Sequence, residues 1–145
     1  MRVCEELFAA ARSEFKHMEH FYFHNMLYEY VWKDNRLRHQ ERTSTAELLH
    51  RYGPDYRVIL VGDASMAPYE ITAVGGCIEY HNAEPGAVWL KRLVATWRHL
   101  VWLNPVPEEE WDRTRSIGMV RQLVEGAMFP LTLAGLEGAM ERLVH

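Results

Sequence analysis

The stretch RVILVGDASMAP, residues 57–68, decides the fold. Val58 to Val61 form a continuous apolar run, mostly β-branched, of the kind buried on both faces in a parallel sheet covered by helices. The run ends abruptly in Asp63 and Ser65, and the chain then breaks at Pro68. A second run of the same character, Leu100 to Leu103 in LVWLNPVP, stops at Asn104-Pro105. Between the two lies a helical pattern from about Gly86, with Val88, Leu90, Leu93, Val94 and Trp97 at helical intervals.

The pattern continues outward on both sides. Pro107 to Glu110 place negative charge where a helix N-terminus favours it, and Ile117, Val120, Leu123 and Val124 carry that helix to Gly126. AMFPLT reads as a short final strand, at a sheet edge if Pro130 lies in it. Leu133, Leu136, Met140 and Leu143 close the chain with an amphipathic helix capped by Thr132. Upstream, Ser44-Thr-Ala-Glu47 has the form of a capping box opening a helix that stops at Gly53-Pro54. KDNRLRHQERTST, just before it, is aperiodic and polar and reads as a loop. HFYFHNMLYEYVW reads as two short strands, His20 to His24 and Tyr28 to Trp32, turned at Asn25-Met26. Val3 to Phe15 has the spacing of a helix with one buried face. Strands alternating with helices give a single domain, residues 1–145, with an α/β fold. We expect a three-layer sandwich around a largely parallel sheet.

Composition narrows the functional classes. The 145 residues carry a net charge of -4, which argues against a nucleic-acid partner. No apolar run approaches the roughly 20 residues of a membrane span, and MRVCEELFAAARSEF reads as an amphipathic helix rather than a secretion signal. Two cysteines, Cys4 and Cys77, are too few for a disulfide framework, so we expect both to be reduced in a cytoplasmic protein.

In parallel sheets ligands sit beyond the carboxyl ends of the strands. Asp63 and Asn104 each fall just past such an end. Carboxylate and hydroxyl oxygens suit a hard cation such as Mg²⁺. Asp63-Ala-Ser65 therefore reads in two ways: as ligands, or as side chains bonding their own backbone in a turn. Thr43, one step outside the cap, adds a second oxygen on the rim expected to hold Asp63. His17, His20 and His24 cluster, but no further zinc ligands accompany them, and an edge-strand surface explains them better. Nothing matches a nucleophile elbow, a Walker loop or a dinucleotide turn.

FYFHNMLYEYVWKDN, ERTSTAELLHRYGPDYRVILVGDASMAPYEI, PGAVWLKRL, VWLNPVP and MFPLTLAGLEGAM occur in this order. Together they resemble the von Willebrand factor A-type (VWA) proteins of the CoxE-like group, across essentially the whole chain. The resemblance implies a Rossmann-like VWA fold and a metal-ion-dependent adhesion site. It assigns the threonine ligand to Thr43 and the late aspartate to Asp63, with Mg²⁺ as the divalent cation. It also implies a protein partner, a MoxR-type AAA+ ATPase presenting an acidic residue, in maturation or metal-cofactor insertion of a client enzyme.

The family's first central strand and its Asp-x-Ser-x-Ser loop have no counterpart here. Asp63-Ala-Ser65-Met-Ala67 ends in Ala and follows the threonine instead of preceding it. The expectation is then a C-terminal part of a VWA domain, either a piece of a longer protein or a natural truncated relative, with an incomplete site, weak or no Mg²⁺ affinity alone, and a sheet edge open to homo-oligomerisation. Two other readings stand beside the non-enzymatic adaptor: an Mg²⁺-dependent phosphotransfer or phosphatase-like enzyme using Asp63, and a non-autonomous fragment.

Overall fold

The computed structural model describes residues 18–23, 25–33, 42–77 and 80–144. The helix expected over Val3 to Phe15 lies outside them, as do Cys4, His17 and His24. The described chain is α/β. Three parallel strands form the sheet: β3 (Arg57–Val61), β4 (His99–Asn104) and β5 (Met128–Pro130), in the order β3-β4-β5. A separate antiparallel pair, β1 (Tyr30–Trp32) and β2 (Arg42–Ser44), precedes it. The helices are α1 (Thr45–Arg51), α2 (Tyr69–Thr72), α3 (Gly86–Thr96), α4 (Arg115–Leu123) and α5 (Leu133–Val144).

Side-chain alternation along the sheet builds two cores. Leu60, Leu100, Trp102 and Met128 point to one face, where they pack with Leu48 of α1, Ile71 of α2, Leu90 and Leu93 of α3, and Ile117 and Val120 of α4. Val101 and Leu103 point to the other, with Ile59, Val61 and Phe129 beside them, against Leu136, Ala139 and Leu143 of α5. Helices thus cover both faces of the sheet, a three-layer arrangement compatible with a Rossmann-like sandwich. Both crossovers, through α3 and α4, run on the same face, so the strands advance in one direction.

Three expectations are corrected. His20 to His24 forms no strand among its described residues; Tyr22 makes one isolated antiparallel bridge to Trp32. The strand that does pair with β1 is Arg42–Ser44, expected to be loop. Its pairing is non-local: the Arg42 guanidinium lies 3.9 Å from the Tyr30 ring centroid, a contact that no local pattern announces. The helix expected from Pro107 to Gly126 is interrupted. Residues Glu108–Arg113 form a 3₁₀ segment, Thr114 is extended, and α4 follows. Trp111 accounts for the break, since its indole N–H donates to Val106 O at 2.8 Å and anchors the tight turn in the core.

Local chemistry sets two helix starts as expected. Ser44 Oγ accepts from Glu47 N at 3.4 Å, and Thr132 Oγ1 accepts from Gly135 N at 3.0 Å, each at a helix start. Asn25 turns the chain at φ 62°, a left-handed conformation that asparagine tolerates. Two glycines of the helices are expected to respond oppositely to substitution. Gly118 in α4 has open space where a Cβ would sit, so Gly118→Ala should stabilise by about 0.5–1 kcal/mol. Gly135 in α5 rests directly on the Pro130 carbonyl, so Gly135→Ala should cost about 1–3 kcal/mol. Urea denaturation of the two variants checks both signs.

Candidate functional site

The rim at the carboxyl ends of β3 and β4 is built from a ladder that runs out of donors. Gly62 N donates to Leu103 O at 3.2 Å. The next rung would need an N–H from Pro105, which has none. The Trp102 indole N–H takes the acceptor instead, reaching Gly62 O at 2.8 Å. One residue on, fully buried Asn104 holds the loop: its Nδ2 donates to Asp63 O at 2.9 Å and its Oδ1 accepts from Val106 N at 2.9 Å. Ala64 is fully buried at φ 56°, and Asp63 and Ser65 on either side of it are exposed.

Asp63 therefore sits on a fixed backbone with its side chain outward. Its Oδ1 accepts from Ser65 N at 3.0 Å, an Asx turn. The next amide, Met66 N, donates to buried Ser116 Oγ at 3.0 Å, tying the loop to the first turn of α4. Glu70, in α2, is 7% exposed. Its Oε2 accepts from Ala67 N at 3.1 Å and its Oε1 from Asn25 Nδ2 at 2.8 Å. Sequence reading missed Glu70, although an acid three residues after Ala67 is the carboxylate half of a capping box.

Thr43 lies in β2, opposite Val31, and is half-buried. It belongs to the β1-β2 pair, whereas Asp63 lies in the loop after β3, and no hydrogen bond joins the two directly. The segments are linked indirectly. Buried Thr45 donates through Oγ1 to Tyr28 O at 2.5 Å; the Tyr28 hydroxyl donates to Glu70 O; and Glu70 holds Ala67 in the loop that follows Asp63. Burial pushes the Tyr28 phenol far above the ordinary tyrosine range, so it keeps its proton and stays a donor. Thr45, read from sequence as part of the cap, is the side chain that connects the Thr43 segment to this rim.

The donor set does not fit a tight divalent-ion site. One exposed carboxylate with an oxygen committed to Ser65 N, plus hydroxyls, falls short of the six oxygens a hard cation gathers. Among the described residues no group of three or more His, Cys, Asp or Glu is placed to hold a metal ion. His20 packs its ring edge-on to Tyr22, centroids 5.7 Å apart. Cys77 is a half-buried free thiol. No described helix is long and apolar enough to cross a membrane.

A second polar knot lies in the segment before α3. Fully buried Asn82 accepts from Cys77 N at 2.8 Å and donates to Ala73 O and Glu84 O at 3.2 and 2.7 Å. Glu29 accepts from Ala83 N, Glu84 N and the Trp89 indole. Both residues spend their polar atoms on backbone and framework, which assigns them to holding this long loop. Neither was singled out from sequence, because nearly all their partners are backbone groups of the loop, and the Trp89 indole lies 60 residues from Glu29. Two surface hollows lie away from the rim. One is lined by residues of α3 and α4 including Lys91 and Gln122, and the other includes His20, Lys33 and Arg51. Compared with protein-family models, curated proteins and solved structures, the chain matches none.

Proposed function

We propose that the protein is a non-enzymatic binding module whose contact surface is the rim centred on Asp63. Its partner in this reading is a MoxR-type AAA+ ATPase acting in protein maturation or metal-cofactor insertion. The observation that carries the surface is an exposed carboxylate mounted on buried supports. Asn104, Ser116 and Trp102 hold the backbone from Gly62 to Met66, while Asp63 itself stays open. Preorganised exposed groups bind with little ordering cost. The partner's identity rests on the sequence resemblance alone.

The rim offers too few donors for an ion of its own, so a divalent cation would enter only with ligands brought by the partner. Addition of Mg²⁺ to the isolated protein is expected to leave its melting temperature unchanged, and chelation likewise. Submicromolar Mg²⁺ binding in calorimetry would contradict that. For the surface itself, Asp63→Ala should abolish binding to the purified ATPase at unchanged melting temperature, while Asp55→Ala, on an exposed turn away from the rim, should bind like the parent protein. Phosphatase turnover lost in Asp63→Asn would instead support an enzyme.

A further inference from the structure

The outer edge of β3 points to a different surface. Gly62 N reaches β4, so strand alternation turns the N–H and C=O groups of Val58 and Leu60 to β4 as well. Those of Ile59 and Val61 point the other way, where no strand pairs with β3 among the described residues. The strand has neither proline nor lysine nor bulge to blunt that edge. Ile59 and Val61 are also only half-buried on the α5 face.

The flank of α5 beside them is apolar and open. Gly135 and Gly138 rest on Pro130 and Phe129, which fixes the side of α5 turned to β5. Leu133, Leu136, Met140 and Val144 recur at helical spacing on the opposite flank. Leu133 is 76% exposed, Val144 63% and Met140 36%. That flank faces toward β3, where Arg57 Nε donates to Leu143 O at 3.1 Å.

We propose that a second copy of this chain covers this surface, with β3 pairing antiparallel to the partner's β3 about a two-fold axis at Leu60. The edge is self-complementary in this register. Ile59 of one copy faces Val61 of the other twice over, and these are the residues whose backbone groups point outward. Carried two residues past the end of β3, the same register brings exposed Arg57 of each copy near exposed Asp63 of the other, opposite charges at both ends of the seam. Arg57 spends Nε and Nη1 on Leu143 O and Asp55 O, leaving Nη2 without a hydrogen bond among the described residues. The two α5 flanks then meet across the axis, and the two three-stranded sheets become one of six.

Light scattering over a dilution series should show a concentration-dependent species of twice the 17.0 kDa chain mass. Val61→Pro removes an outward-facing N–H and no rung of the β3-β4 ladder, so it should give a monomer with unchanged far-ultraviolet circular dichroism. In a Cys4→Ser, Cys77→Ser background, Ile59→Cys combined with Val61→Cys should cross-link on mild oxidation, and neither single variant should. A monomer at every concentration overturns the proposal, as does a dimer that survives Val61→Pro. Cross-linking by either single variant overturns the register. Asp63→Ala should leave the dimer standing, because an exposed end pair contributes little beside the backbone bonds. Light scattering on that variant therefore separates this interface from ATPase binding at the rim.

Discussion

Trp102→Ala is expected to cost about 3–5 kcal/mol, close to the whole stability of a marginal domain. Trp102 is fully buried at the centre of β4, packs edge-on against Phe23 with centroids 5.9 Å apart, and lines Gly62 closely. Its removal leaves a cavity between the sheet and the helices. It also orphans Gly62 O, whose ladder donor is missing at Pro105. Trp102→Phe separates the two contributions. Phenylalanine refills most of the volume but supplies no N–H, so about 1–3 kcal/mol should remain lost. Equilibrium denaturation in urea measures both. A Phe variant as stable as the parent protein would show that the indole hydrogen bond is not needed at the strand end.

Asn104→Ala is expected to cost about 2–4 kcal/mol, for a different reason. The volume lost is small, but Asp63 O and Val106 N both lose the partner that fully buried Asn104 supplies. The consequence should be local as well as global. Amide exchange across Gly62 to Met66 should accelerate by more than the loss of global stability accounts for, because Asn104 is the cross-strand clasp on that loop. Exchange that rises uniformly over the sheet would place Asn104 in the core's general stability and remove its role in presenting Asp63.

These two residues also show how the sequence can and cannot be read. The apolar runs at Val58 and Leu100 announce parallel strands, and Ser44, Thr132 and Asn25 act locally as their residue types suggest. Asn104 is visible as a strand end followed by proline. What it bonds is not, because its partners lie 41 residues away in one direction and two in the other. The same limit hides β2. Arg42-Thr-Ser44 has no strand pattern, and it becomes a strand by pairing across the chain with Tyr30–Trp32. It hides Glu70 too, whose carboxylate meets Asn25 across 45 residues. Thr43 and Asp63 were grouped on one rim by the order of strands and helices, and as ligands by the resemblance. The structure sets Thr43 in the β1-β2 pair and Asp63 in the loop after β3, joined through Thr45, Tyr28 and Glu70, a route made of side-chain to backbone bonds that spacing does not encode.

The most direct test of the rim is a binding measurement between the purified protein and a MoxR-type ATPase from the same source, made by calorimetry with the parent protein and Asp63→Ala in parallel. Saturable binding by the parent protein and its loss in the variant, at equal melting temperatures and equal mass in light scattering, is the expected result. Equal affinity in the two proteins, or no binding by either, would contradict a contact surface centred on Asp63.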